Sequence, residues 1–358
     1  MKIIDRFEVA YYQYLSETGH LIDDASVLAK NTEALINLYR LMVLLRTFDT
    51  KAIALQRTGK LGTYPSTKGQ EAVFVGIGAA LDKNDVFVPY YRDSGTLMQR
   101  GVPLSQILLY WGGDERGNCF LDSRDFPFSV PVGSQPLHAV GVAYALKYKK
   151  ENAAVLTTCG DGATSEGDFY EAMNVAGAWK LPVVFVVCNN QLAISVPRKA
   201  QSAAHTLAQK AIAAGFSGEQ IDGNDIIAVV ERTKTALKNA RENHEPRLLE
   251  MICYRQGDHT TADDASRYEP KELREIEWKK EPNIRLKKYL EELKVWTVEH
   301  ENALQKACNA DVEKEVEDYL KTKPQKLESM FDYLYENLPK AYQNQRDLVK
   351  EMEYTEHA

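Results

Sequence analysis

Apolar positions recur at helical spacing between Asn31 and Gln56, where Leu35, Leu38, Tyr39, Met42, Leu45 and Phe48 form one stripe, so an amphipathic helix is predicted there. A second helix is predicted from about Gly69 to Leu81, and within it Gly76-Ile77-Gly78 reads as helix packing rather than a phosphate loop. Asp85 to Pro89 has the pattern of a short strand and leads into the polar Tyr91-Arg92-Asp93. From Gly112 to Phe128 the chain is rich in Gly, Asp, Arg and Asn and reads as a long loop, which in a compact domain is usually functional. Gln135 to Lys149 is again helical in pattern.

The middle of the chain has the clearest pattern. Ala153 to Cys159 is an apolar run of strand length, Gly160-Asp161-Gly162 a turn, Glu166 to Trp179 a helix, and Pro182 to Cys188 a second buried strand ending in Asn189-Asn190. This is a strand–helix–strand unit with its polar groups at the carboxyl ends of its strands, where open parallel sheets bind ligands. Further strands are expected near Ser217–Ile221 and Leu248–Tyr254, giving an α/β fold with a parallel sheet flanked by helices. After Pro270, Lys and Glu dominate three helical stretches near 271–292, 299–321 and 326–352, read as solvated amphipathic helices. The expected organisation is an N-terminal arm over 1–30 that packs on something else, an α/β domain over 31–270, and a charged helical C-terminal extension over 271–358.

Composition narrows the function classes. Of 358 residues, 44% are hydrophobic and 27% charged, which suits a soluble globular protein. The net charge of -7 argues against nucleic acid as the main partner, because backbone binding requires a basic face. No apolar run approaches the roughly 20 residues that span a membrane; Val183 to Cys188 is only strand length. The opening Met1-Lys2-Ile3-Ile4-Asp5 develops neither a signal-peptide core nor a transit pattern, so the chain as given reads as cytoplasmic. Five cysteines, an odd count without metal-site spacing, read as reduced, buried thiols.

The chemistry concentrates in Gly160-Asp161-Gly162-Ala163-Thr164-Ser165-Glu166-Gly167-Asp168, joined through one helix and strand to Asn189-Asn190. Gly160 and Gly162 are read as letting the backbone turn sharply and approach a ligand. The N–H groups around Gly162 and Ala163, at a helix start, suit a phosphate. Amides alone do not hold a diphosphate, so a cation is expected. Asp161 offers it a carboxylate oxygen and Asn190 an amide oxygen, the hard ligands that Mg²⁺ prefers. A nicotinamide-binding unit would need an acidic residue at the end of the second strand. Here Asn189-Asn190 stand there, and Asp161 sits inside the turn, where it would repel a pyrophosphate without a metal.

The two half-motifs joined in this way resemble the signature of thiamine-diphosphate enzymes. Over roughly Leu35 to Leu338 the chain resembles the alpha subunit of the first component of pyruvate and branched-chain 2-oxoacid dehydrogenase complexes. The resemblance implies a thiamine-diphosphate-binding fold and a cofactor lying between alpha and beta subunits. It implies a beta subunit that holds the aminopyrimidine and supplies the activating glutamate, for which this chain shows no clear candidate. It also implies two alpha and two beta subunits docked on a lipoyl-bearing acyltransferase core.

Carried onto matching positions, the resemblance makes Asp161, Asn190 and the backbone carbonyl of Leu192 metal ligands. Gln191-Leu192 replace the Gly-Tyr or Arg-Tyr usual after the two asparagines. Tyr91 and Arg92 match cofactor and diphosphate contacts, and Val132 a backbone contact to the aminopyrimidine. Arg255 matches a diphosphate-binding arginine, whose planar fork suits phosphate oxygens. His259, in Gly257-Asp258-His259-Thr260-Thr261, matches a histidine on a loop covering the active site, implicated in acyl transfer to lipoamide; Asp258 stands where the family often has Pro or Gly. The rest of that loop, Ala262 to Tyr268, is expected to order with cofactor.

The implied reaction is oxidative decarboxylation of a small-molecule 2-oxoacid with acyl transfer to a lipoyl group. Gly112-Gly113-Asp114-Glu115-Arg116-Gly117-Asn118 and Val132-Gly133-Ser134-Gln135 look more like bacterial pyruvate dehydrogenases. Branched-chain 2-oxoacids and acetoin are the alternatives, with Thr63 in a position where many relatives carry Phe near the substrate. The intact set Asp161, Asn190, Arg92, Arg255 and His259 argues against a catalytically silent scaffolding paralogue.

Overall fold

The computed structural model describes residues 1–119 and 123–356, with side chains up to residue 352. Strands β1 (Ala10–Tyr12), β2 (Val86–Val88), β3 (Val155–Gly160), β4 (Val183–Asn189), β7 (Ser217–Asp222) and β8 (Arg247–Ile252) form one wholly parallel sheet in the order β1-β7-β8-β4-β3-β2. Between them, β5 (Leu192–Ala193) and β6 (Val196–Pro197) make a small antiparallel hairpin. The helices are α1 (Thr32–Arg57), α2 (Glu71–Ala80), α3 (Ser94–Gln99), α4 (Leu104–Trp111), α5 (Gln135–Tyr148), α6 (Gly167–Trp179), α7 (Arg198–Gln201) and α8 (Lys210–Ala213). They continue with α9 (Ile226–Asn243), α10 (Lys271–Trp278), α11 (Pro282–Glu292), α12 (Val298–Lys321) and α13 (Lys340–Glu356).

Period-two alternation decides which side chain meets which layer. On β4, Val184, Val186 and Cys188 face a core shared with α1, α2 and α9, while Val183, Phe185 and Val187 face α5 and α6. Both faces are therefore covered, which is why the strands read as unbroken apolar runs. Gly76 allows the α2–α9 contact: a Cβ there would lie 2.4 Å from a methyl of Val229.

Part of the arm over 1–30 packs on the chain's own α/β domain. β1 adds to the sheet edge beside β7, Leu15 is fully buried, and the Asp225 carboxylate accepts the Tyr14 and Leu15 N–H groups at 2.6 and 2.7 Å. The C-terminal helices are not merely solvated. The 271–292 stretch breaks before Pro282 into α10 and α11; α11 buries Leu286, Tyr289 and Leu290, and α12 buries Leu304, Cys308, Val312 and Val316 in the main core. The 326–352 stretch begins with a 3₁₀ turn, Leu327–Phe331, before α13. The loop expected over 112–128 contains another such turn, Glu115–Asn118, and its residues 120–122 lie outside the described residues. Among the cysteines, Cys119 is exposed rather than buried, and the other four are buried. No helix among the described residues is long and apolar enough to cross a membrane.

Candidate functional site

The carboxyl ends of β2, β3 and β4 open onto a cavity of about 260 Å³. That is just below the range of roughly 300–1,000 Å³ usual for small-molecule sites, as suits half of a divided site. Of the residues singled out from sequence, Tyr91, Arg92, Val132, Gly160, Asp161, Gly162, Ala163, Asn190, Leu192 and His259 all line it. Arg255 does not; it stands behind the wall. Its guanidinium donates to the carbonyls of Ile194 at 2.8 Å, Gly257 at 3.1 Å and Leu192 at 3.4 Å, and to the Tyr268 hydroxyl at 2.7 Å.

Asp161 directly follows β3 and is buried, and among the described residues its Oδ2 has no hydrogen-bond partner. Burial pushes its carboxyl up to about 6, against the opposing pull of Arg255 and Arg198. The glycines beside it act through space rather than through backbone freedom, since neither Gly160 nor Gly162 has a positive φ. A Cβ on Gly160 would project into open space at the cavity wall, and one on Gly162 would lie 2.9 Å from the Cβ of Ala193 at the hairpin. Gly162 opens the 3₁₀ turn Gly162–Ser165, whose first N–H groups lack an acceptor within the turn. Buried Lys210 fastens that turn from behind, its Nζ donating to the Thr164 carbonyl at 2.6 Å and hydroxyl at 3.0 Å.

Asn189 and Asn190 divide the work at the end of β4. Asn189 Nδ2 donates at 2.7 Å to Glu250, a fully buried carboxylate on β8 that also accepts the Leu207 and Ala208 N–H groups at 2.8 and 3.0 Å. Asn190 Nδ2 donates to Gln70 Oε1 at 2.8 Å, leaving its own oxygen on the cavity side with only the Leu192 N–H at 3.4 Å. Gln191 then takes a left-handed φ of 73°, a conformation that glycine adopts at less cost; its side-chain amide donates to Asn189 Oδ1 at 3.1 Å.

Two arginines dominate the electrostatics. Arg92 and Arg255 are each 1% exposed, and among the described residues neither is ion-paired to a carboxylate. The third fully buried arginine, Arg285, has Asp222 at 2.5 Å. Arg92 donates to the Ser66 carbonyl at 2.7 Å, the His259 carbonyl at 2.6 Å and His259 Nδ1 at 3.0 Å. An unpaired buried cation costs several kcal/mol, a cost that a bound anion would offset. Burial first, and Arg92 next, hold the Arg255 guanidinium below its usual value.

A guanidinium has no acceptor, so Nδ1 of His259 must be the acceptor and Nε2 carries the proton. Burial first, then Arg92 and Arg255, hold this imidazole down to about 3. His259 is therefore expected to stay neutral from pH 5 to 8, with no titration in histidine NMR; a midpoint near 6.5 would contradict that. The sign for stability follows: below about 6.5 the unfolded chain binds a proton that the folded site refuses, so this residue's contribution falls as pH drops toward about 3.

The His259 loop is tied down along its length. Thr261 pairs with Tyr64 in both directions at 3.0 Å, Asp263 accepts from the His259 N–H at 2.8 Å and from the Tyr268 hydroxyl, and Asp258 accepts the Ala265 N–H at 2.9 Å. Asp258 thus closes its own loop with a side chain. Thr63 is exposed and lines a separate recess with Tyr110 and Trp111. Gln70 and Gln201 carry no sequence signal, and Gln135 and Glu166 lie in the quoted motifs without a role of their own. Gln135, Glu166 and Gln201 line the cavity, and Gln201 Oε1 is buried without a partner.

An open, wholly parallel sheet with an anion-ready cavity at its strand ends defines a cofactor-binding α/β protein. The family model described as Dehydrogenase E1 component matches residues 39–328. A pyruvate dehydrogenase E1 component subunit alpha of Staphylococcus aureus is 39% identical over 351 residues, 97% of this chain and 94% of that protein. Its namesake in Staphylococcus epidermidis is 37% identical over the same shares. The chain belongs to the dehydrogenase E1 component family, as an alpha subunit, and the family implies thiamine diphosphate as cofactor and a beta subunit as partner.

Proposed function

We propose that this chain grips the diphosphate end of thiamine diphosphate through Mg²⁺ and, with a beta subunit, oxidatively decarboxylates pyruvate and passes the acetyl group to the lipoyl group of an acyltransferase core. One observation carries the reading. A buried carboxylate oxygen without a partner faces a cavity backed by two buried guanidiniums without carboxylates. Asp161 Oδ2, Asn190 Oδ1 and the Leu192 carbonyl supply three hard oxygens, and Mg²⁺ takes its remaining positions from phosphate and water. Among the described residues no three His, Cys, Asp or Glu side chains converge as a metal site, which fits a cation held jointly by protein and ligand. The Leu192 carbonyl gives up only a 3.4 Å contact from Arg255 to do so.

Arg92 and Arg255 neutralise the phosphates, with the Gly162 and Ala163 N–H groups beside them and Gly160 leaving the space. Tyr91 and the backbone of Val132 contact the rest of the cofactor. The bound cofactor supplies the carbanion nucleophile and the electron sink for decarboxylation. His259, neutral with a proton on Nε2, offers a hydrogen bond to charge developing at the reacting centre and assists acyl transfer. The cavity rim carries exposed Val132 and Ile194, each 56% exposed, and the rim carboxylate Glu166 is exposed as well. An apolar rim supports a beta subunit covering the mouth; the assembly proposed with it has two alpha and two beta subunits.

Substrate choice is tested on the chain co-purified with its beta subunit, by decarboxylation with an artificial electron acceptor across pyruvate, three branched-chain 2-oxoacids and acetoin. Pyruvate is expected to lead by at least about tenfold in kcat/KM, the discrimination that one or two methylenes can carry. Preference for a branched acid would overturn that choice. Thr63 lies in a recess separate from the cofactor cavity, which supports pyruvate over a longer acid.

A further inference from the structure

We infer that Gln70 is a positioning residue that selects which face of the Asn190 amide meets the cation; this rests on the reading of Asn190 as a metal ligand. An asparagine amide can present oxygen or NH₂, and only the oxygen attracts a cation. Gln70 is fully buried and does not reach the cavity. Its Oε1 accepts from Asn190 Nδ2 at 2.8 Å and from the Cys188 thiol at 3.3 Å. With NH₂ engaged behind the wall, Oδ1 keeps only the Leu192 N–H at 3.4 Å and is left for the cavity that Asn190 and Asp161 both line.

The support is rigid because the turn bearing Gln70 is fixed on several sides. Asp49, itself buried, accepts the Thr67 N–H at 2.5 Å and its hydroxyl at 2.9 Å. Glu71, ion-paired to Arg46, accepts the Gly69 N–H at 3.0 Å. The Lys68 carbonyl accepts the Gln256 N–H at 3.0 Å. Gly69, at φ +86°, lies so close to the end of β8 that a Cβ would come 2.3 Å from the Tyr254 carbonyl. The Gln70 side chain makes no cap bond to α2, so its carbonyl is available to Asn190 and Cys188. Groups that orient a metal ligand in this way commonly contribute 10–100-fold to metal affinity.

The test uses the chain assembled with its beta subunit and Mn²⁺ as probe, its binding followed by electron paramagnetic resonance with thiamine diphosphate present. Gln70→Met, which keeps bulk and removes the acceptor, is expected to weaken Mn²⁺ about 10–100-fold. Gln70→Glu keeps an acceptor oxygen in either protonation state and is expected to stay close to wild type. Should Gln70→Met fail to assemble, Gln70→Ser, too short to reach Asn190, carries the same expectation. Undiminished Mn²⁺ binding in Gln70→Met, or equal weakening in Gln70→Glu, would overturn the assignment. Asp161→Ala run alongside separates the two claims: if it keeps Mn²⁺, the metal reading falls and the inference with it.

Discussion

Asp161→Ala in the assembled protein is expected to lose metal-dependent binding of thiamine diphosphate, by at least about 100-fold or roughly 2.7 kcal/mol. Among the described residues, Asp161 is the only buried carboxylate that lines the cavity; Glu166 is exposed. Without it, Asn190 and a backbone carbonyl remain, and neither carries a charge. Fold stability should not fall in parallel, because Asp161 Oδ2 has no partner to lose and removing the carboxylate also removes its desolvation cost. Calorimetric titration with Mg²⁺ present measures the loss, and normal cofactor binding by the variant would show the assignment to be wrong.

His259→Ala is expected to separate chemistry from binding. Arg92 keeps its 2.6 Å bond to the carbonyl of residue 259, which alanine also has, so the diphosphate side of the site stays organised. Cofactor affinity should therefore hold, while acyl transfer to a lipoyl acceptor falls by about 10²–10⁴, the range for a lost acid–base or hydrogen-bonding group. Stopped-flow measurement of acyl transfer is the check. Unchanged transfer would remove the role given to His259, and equal loss of cofactor binding would make the residue structural.

The strand–helix–strand unit carrying Asp161 and Asn190 was legible because its strands, buried on both faces, read as apolar runs and end in polar residues. The cavity wall was legible with it, because carboxyl ends of parallel strands converge. Other features depend on contacts that no local pattern encodes. Gln70 reaches Asn190 across 120 positions of sequence, and nothing around it in Ser66-Thr67-Lys68-Gly69-Gln70-Glu71 names that partner. β1 is three residues at a sheet edge without alternation, and the segment is held by Asp222 and Asp225 more than 200 positions away. In α12 the stripe Leu304, Cys308, Val312 and Val316 repeats at helical spacing, but dense Lys and Glu around it hid a core-facing surface. Gly160 and Gly162 lie at the cavity wall without a positive φ, so backbone freedom, the reason read from sequence, is not what the fold uses there.

The most direct test is calorimetric titration of thiamine diphosphate into the chain assembled with its beta subunit, once with Mg²⁺ and once with a chelator. Saturable binding with Mg²⁺ and none with the chelator is the expected result. Equal binding in both, or binding in neither, would contradict a diphosphate site built on Asp161 and Asn190.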